Sequence, residues 1–178
     1  MTIRRVVSGQ NADGKSVIVS DQCVNPVAIG AGGIYPLWGA DELPTFPLSG
    51  SGPNFSEFFP PLGGYRFIVM VVPPDATSDS HQTIDTMAAT DQSALGTGMH
   101  EWIEPDNPGM HTTDTVDFEV VLSGEVTIEL DDGVTTSLKA GDTFVQNGAR
   151  HRWSNRGSVP AVVAAFLIGG HSRKKPSP

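Results

Sequence analysis

At 178 residues the chain suits one domain with a core of its own. Only 17% of its residues are charged, and Gly 20 and Pro 14 punctuate it throughout, which points to turns and short strands and against long helices or coiled coil. The formal charge of −9 argues against a polyanionic partner, so neither nucleic acid nor an anionic membrane surface is expected.

Residues 2–7 and 16–20 read as two short strands joined by a turn over Asn11, Asp13 and Gly14. The two arginines at the start precede no apolar stretch of the secretory kind, and no apolar run reaches the ~18 residues of a membrane span. The cytoplasm is the expected compartment. Cys23 has no internal disulfide partner and no basic neighbour to activate it, so it reads as a bland thiol.

Residues 21–64 lose all periodicity among prolines, glycines and scattered aromatics such as Trp38, Phe55, Phe58 and Phe59. A segment this long and this apolar is expected to be an ordered, loop-rich excursion covering the core or a partner subunit. Residues 65–72 form a clear strand, with Arg66, Ile68 and Met70 on one face and Phe67, Val69 and Val71 on the other. Facing the interior, Arg66 would suit a substrate carboxylate; facing out, it would simply reach water. After Pro73 and Pro74, residues 78–95 are the one plausible helix, capped by Ser78 or Asp79 and stopped by Gly96 and Gly98.

From Val116 the pattern is entirely strands. Turns fall at Asp131 to Gly133, Lys139 to Asp142 and Asn147-Gly148, and residues 161–168 make a last strand suited to burial. Such even, close spacing indicates a sandwich or small barrel. Within it His111, Thr113, Asp117, Glu119 and Val121 share parity and so share a face, as do His151 and Trp153. Two imidazoles and a carboxylate converging there could hold one divalent metal, Fe, Zn, Mn or Ni; equally, the histidines could be acid–base or hydrogen-bonding groups of a metal-free pocket. Gln146 and Asn155 are polar candidates near the pocket mouth, whereas His81, His100 and His171 match no pattern.

The stretch His111-Thr-Thr113-Asp-Thr-Val-Asp117, with Gly124 seven residues on, resembles the first cupin motif, G-x5-H-x-H-x(3–4)-E-x6-G. Gly141-Asp142, Asn147-Gly148 and His151 to Asn155 resemble the second, G-x5-P-x-G-x2-H-x3-N. Thr113 stands for the second histidine, Asp117 for the glutamate, and the second motif lacks its proline and is one residue short. The resemblance implies a mainly all-β, single-domain cupin, a double-stranded β-helix or jelly-roll barrel. On that plan residues 105–169 hold the core motifs, 170–178 form a tail, and the chain is a homodimer. It further implies a small-molecule substrate and a metal on His111, Asp117 and His151, with Glu119 two residues beyond Asp117 as the fallback carboxylate. His111, His151 and Glu119 are then the expected catalytic groups; Arg66, Thr113, Gln146 and Trp153 are the expected substrate contacts. Lyase, isomerase, decarboxylase and Fe(II) dioxygenase chemistry stay open, as do a metal-free histidine-dependent enzyme and a non-catalytic ligand-binding barrel.

Overall fold

A computed structural model describes residues 1–48, 50, 52–77 and 94–171. The helix expected over residues 78–95 lies almost wholly outside them, as does His81. Among the described residues no helix is long and apolar enough to cross a membrane.

Eleven strands follow in chain order: β1 (Ile3–Gln10), β2 (Ser16–Val24), β3 (Val27–Ile29), β4 (Gly32–Ala40), β5 (Tyr65–Val72), β6 (Thr115–Ser123), β7 (Glu125–Glu129), β8 (Thr135–Lys139), β9 (Thr143–Asn147), β10 (Arg152–Ser154) and β11 (Ala161–Gly169). They form an antiparallel six-stranded sheet in the order β3-β4-β5-β11-β6-β9, a three-stranded sheet β10-β7-β8, and the separate hairpin β1-β2. The mainly all-β cupin barrel expected from the sequence is the fold observed.

The two larger sheets close on each other because their strands alternate. Along β6 Thr115, Asp117, Glu119 and Val121 point inward and are buried, while Phe118 is exposed. Val121, Val126, Ala161 and Val163 form an apolar plug at one end, reinforced by Leu138 and Trp153 from the smaller sheet. A second cluster, including Ile29, Ile34, Phe58, Ile68, Leu95 and Leu167, lines the other end.

Residues 21–64 depart from the expected irregular excursion. β2 runs on to Val24, and β3 and β4 extend the large sheet beside β5. Pro36 is tolerated inside β4 because the ladder slips by one residue between Pro36 and Trp38, where a missing N–H does least harm. Tyr35, Leu37 and Val69 then bury the sheet's outer face against Ile3 and Val24 of the hairpin. Beyond that cover, Phe67, Phe166 and Phe118 stand in cross-strand register and remain exposed on the same face.

The end of β11 is held tightly. A Cβ built on Gly169 would meet the carbonyl oxygens of Pro61 at 1.8 Å and Pro60 at 2.5 Å. Gly169→Ala is therefore expected to cost about 1–3 kcal/mol, the usual penalty of forcing atoms into a packed site, read as a lower urea midpoint at unchanged m-value.

Candidate active site

A cavity of about 580 Å³ lies between the two larger sheets. Its walls are largely apolar, with Ile34, Phe58, Phe59, Met70, Met99 and Leu167 among them; His111, His151, Asp117 and Glu119 line it too, as do Asp75, Glu129, Arg152, Ser154 and Arg156. Phe58 and Phe59 come from the segment after β4, which thus contributes to the cavity wall.

His111 and His151 sit opposite each other on neighbouring extended segments, exchanging both backbone hydrogen bonds at 2.9 Å. That register brings their rings together, with centroids 4.2 Å apart and planes tilted by 48°. Nδ1–H of His111 donates to the carbonyl of Gly109 at 2.9 Å; since a carbonyl only accepts, the proton is on Nδ1 and Nε2 of the neutral ring is bare. Gly109 takes a left-handed φ of 83°, which glycine alone adopts freely, in the turn that brings this carbonyl under the ring. Arg150 ties that loop down: it binds both oxygens of Glu104 at 2.5 and 2.6 Å and Asp131 at 2.8 Å.

Asp117 and Glu119 project from β6 and are 4% and 7% exposed. Asp117 is flanked by Leu167 and Gln146 on the adjacent strands, Glu119 by Ala165 and Phe144. Oδ1 of Asp117 and Oε2 of Glu119 are buried without a hydrogen-bond partner. Burial pushes the Asp117 carboxyl up to about 6, against a hydrogen bond from Thr115. Burial, and then the charge of Asp117, push Glu119 up to about 9. The imidazoles go the other way. Burial lowers His111, partly offset by Gly109 and Glu104, and burial followed by the neighbouring His111 brings His151 down to about 4. Near neutral pH the site thus holds two neutral imidazoles, an ionised Asp117 and a Glu119 that keeps its proton.

The other expected contacts fall differently. Trp153 lines the cavity. Thr113 is fully buried, its hydroxyl bonded to that of Thr115 at 2.8 Å, and does not reach the cavity. Gln146 is 1% exposed behind His151. Arg66 does face inward but lies beyond the cavity wall at the end of β5. It is 1% exposed, donating to the carbonyls of Ala40, Glu57, Phe58 and Tyr65, pairing with Asp41 and lying 4.2 Å over the Phe55 ring. Its guanidinium has no donor left for a substrate carboxylate. Sequence reasoning missed Gly109, Met99 and the cavity-lining Arg156; only Gly109 had a visible signal, a glycine two residues before a motif histidine.

The donor set does not fit a divalent ion as it stands. Among the described residues no three His, Cys, Asp or Glu side chains form a group able to hold one. A hydroxyl, already bonded to Thr115, occupies the place of the second motif histidine. Asp117 is one methylene shorter than the motif glutamate, and His151 is engaged through Nδ1 by Gln146.

The Cupin_2 family model, described as "Cupin domain", matches residues 103–168. Phomopsin biosynthesis cluster protein C' of Diaporthe leptostromiformis is 49% identical over 47 residues, 26% of this chain and 25% of that protein. Oryzines biosynthesis cluster protein J of Aspergillus oryzae is 46% identical over 60 residues, 34% of each. The cupin-domain-containing oxidoreductase virC of Hypocrea virens is 31% identical over 62 residues, 33% of this chain and 32% of that protein. The matches thus span a quarter to a third of the length of these curated relatives. The stretch that the family model matches carries both histidines and both buried carboxyls, so the likeness to a cupin domain falls on the candidate site.

Proposed function

We propose that the protein is a small-molecule enzyme that moves a proton on a largely apolar, uncharged substrate, by acid–base chemistry without a metal. The observation that carries this reading is the bare Nε2 of His111, a residue lining a largely apolar cavity, beside two buried carboxyls with unpartnered oxygens. His111 accepts the proton and Glu119, which keeps its own near neutral pH, returns one. Asp117 supports the charge that His111 gains. Around the reacting groups the substrate is uncharged, because neutral imidazoles and an acidic pair would not hold an anion there; Arg152, paired with Glu129, and Arg156 also line the cavity. The relatives named for biosynthesis clusters, and the one described as an oxidoreductase, support small-molecule chemistry over a structural role. A purely ligand-binding barrel is the second reading, favoured by the long apolar wall of the cavity.

The test is metal content together with turnover. Protein purified without chelator or affinity nickel is expected to hold far less than one metal per chain, and to remain so after anaerobic exposure to Fe(II), Mn(II), Zn(II) and Ni(II). On a substrate found by screening small neutral carbonyl compounds, turnover should survive EDTA and fall at least ~100-fold in His111→Ala, the usual weight of a general base. Near-stoichiometric metal, lost in both His111→Ala and His151→Ala, would overturn the reading in favour of a metal enzyme. Ligand affinity without turnover in any condition would favour the binding barrel.

A further inference from the structure

Gln146 is a buried amide with no place in the chemistry so far, yet the backbone around it fixes its orientation. The N–H of Ala149 donates to Oε1 at 3.2 Å, and Nε2 donates to the carbonyl of the same residue at 2.6 Å. Exchanging oxygen and nitrogen would set donor against donor and acceptor against acceptor, so the amide has one allowed orientation. The NH2 group so placed also contacts Nδ1 of His151. A nitrogen that faces an N–H must accept. Although the Ala149 carbonyl lies 3.1 Å from the same Nδ1, a proton on Nδ1 would collide with the amide hydrogen. The proton of neutral His151 therefore sits on Nε2, whereas that of His111 sits on Nδ1, given to Gly109.

We propose that Gln146 is a positioning residue that locks His151 in the Nε2–H tautomer, so that the two adjacent imidazoles are a matched acceptor and donor. This assigns the ligand class. The pair fits a carbonyl compound with a labile hydrogen on the neighbouring atom: His111 Nε2 takes the hydrogen and His151 Nε2–H donates to the oxygen. In the reaction, which rests on the proton-transfer reading above, the C–H electron pair moves into the C–C bond and the C=O pair onto oxygen. The enolate oxygen is held by His151, the proton rests on His111, and Glu119 returns one to carbon or oxygen; passage of the His111 proton back to Glu119 resets both groups, so the isomerisation needs no other reactant. The same lock denies a metal the Nε2 lone pair of His151, a physical reason why a cupin domain would lack its metal triad.

The tautomer is readable without any substrate. On chelator-treated, 15N-labelled protein, long-range 1H–15N spectra are expected to show His151 protonated at Nε2 and His111 at Nδ1, assigned by their loss in His151→Asn and His111→Asn. Gln146→Glu puts an acceptor where the amide donated. His151 should then move its proton to Nδ1 while the His111 signals stay, which also shows that the variant folds. With its Nε2 bare, that variant should bind Zn(II) ~10-fold tighter or more, within the span that neighbours of metal ligands command. His151 protonated at Nδ1 in the parent would overturn the proposal even if Gln146→Glu did not fold, and so would an unchanged tautomer in a folded Gln146→Glu. Because the metal is stripped beforehand, a stoichiometric metal in the untreated protein would defeat the metal-free reading while leaving the tautomer assignment to stand or fall by its own spectrum.

Discussion

Replacing Arg66 with methionine is expected to cost the protein about 3–5 kcal/mol, the range for removing one member of a buried ion pair. The side chain is 1% exposed, and its loss strips a donor from the carbonyls of Ala40, Glu57, Phe58 and Tyr65 together. Each carbonyl left dry costs about 1–3 kcal/mol, so even partial rescue by water leaves a large deficit. Asp41 loses less, since Ser56 still donates to it from both its backbone N–H and its hydroxyl, at 2.8 and 2.7 Å. Asp41→Asn should therefore be the milder change. Arg66→Lys keeps the charge but not the planar fork that reaches several carbonyls at once, and should fall between parent and Arg66→Met. Urea unfolding of the four proteins checks the order. A substrate clamp would behave otherwise: Arg66→Met would then unfold normally and lose only ligand affinity.

Why Arg66 was open to that other reading shows where sequence and structure part. Its parity was legible, and it does share the inward face with Ile68 and Met70. What alternation cannot show is that Ala40, Glu57 and Phe58 come to lie over that end of β5 and supply carbonyls to it. The same segment hid β4, because Gly32, Gly33, Pro36 and Gly39 read as loop residues; Pro36 sits at a slip in the ladder, and Gly39 is small because a Cβ there would meet the Tyr65 carbonyl at 2.7 Å. By contrast β6 was plain, since strict alternation from Thr115 to Val121 buries one face and bares the other. His111, His151, Asp117, Glu119 and Trp153 all reach the cavity, because strand parity is a local property. The roles of Gln146 and Gly109 were not legible. They depend on hydrogen bonds made across turns, where sequence spacing says little about direction.

Glu119→Gln is expected to reverse the order of stabilities at alkaline pH. In the parent the Glu119 carboxyl holds its proton up to about 9, against an ordinary value near 4.5, because burial and the charge of Asp117 both oppose ionisation. A group whose folded pKa is raised binds more protons folded than unfolded, so stability falls as pH rises through the interval between the two values. In the lower part of that interval other groups act as well: Asp117, raised to about 6, also loses stability with rising pH, while the depressed His111 and His151 gain it. About a unit above the ordinary histidine value of 6.5 both imidazoles are largely neutral in either state and Asp117 is ionised, so Glu119 alone carries the slope from roughly pH 7.5 to about 9. Thermal melts of the parent should accordingly decline from roughly pH 7.5 to 9. Glutamine has nearly the same shape and nothing to ionise, so its melting temperature should be nearly flat across that window. At pH 5.5 the amide leaves an N–H unpaired in the same dry place, and the variant should be no more stable than the parent; at pH 9 it should be clearly the more stable of the two. Parallel declines in both proteins would mean that Glu119 ionises normally in the fold. Its carboxyl would then lack the proton that the proposed reaction needs it to return.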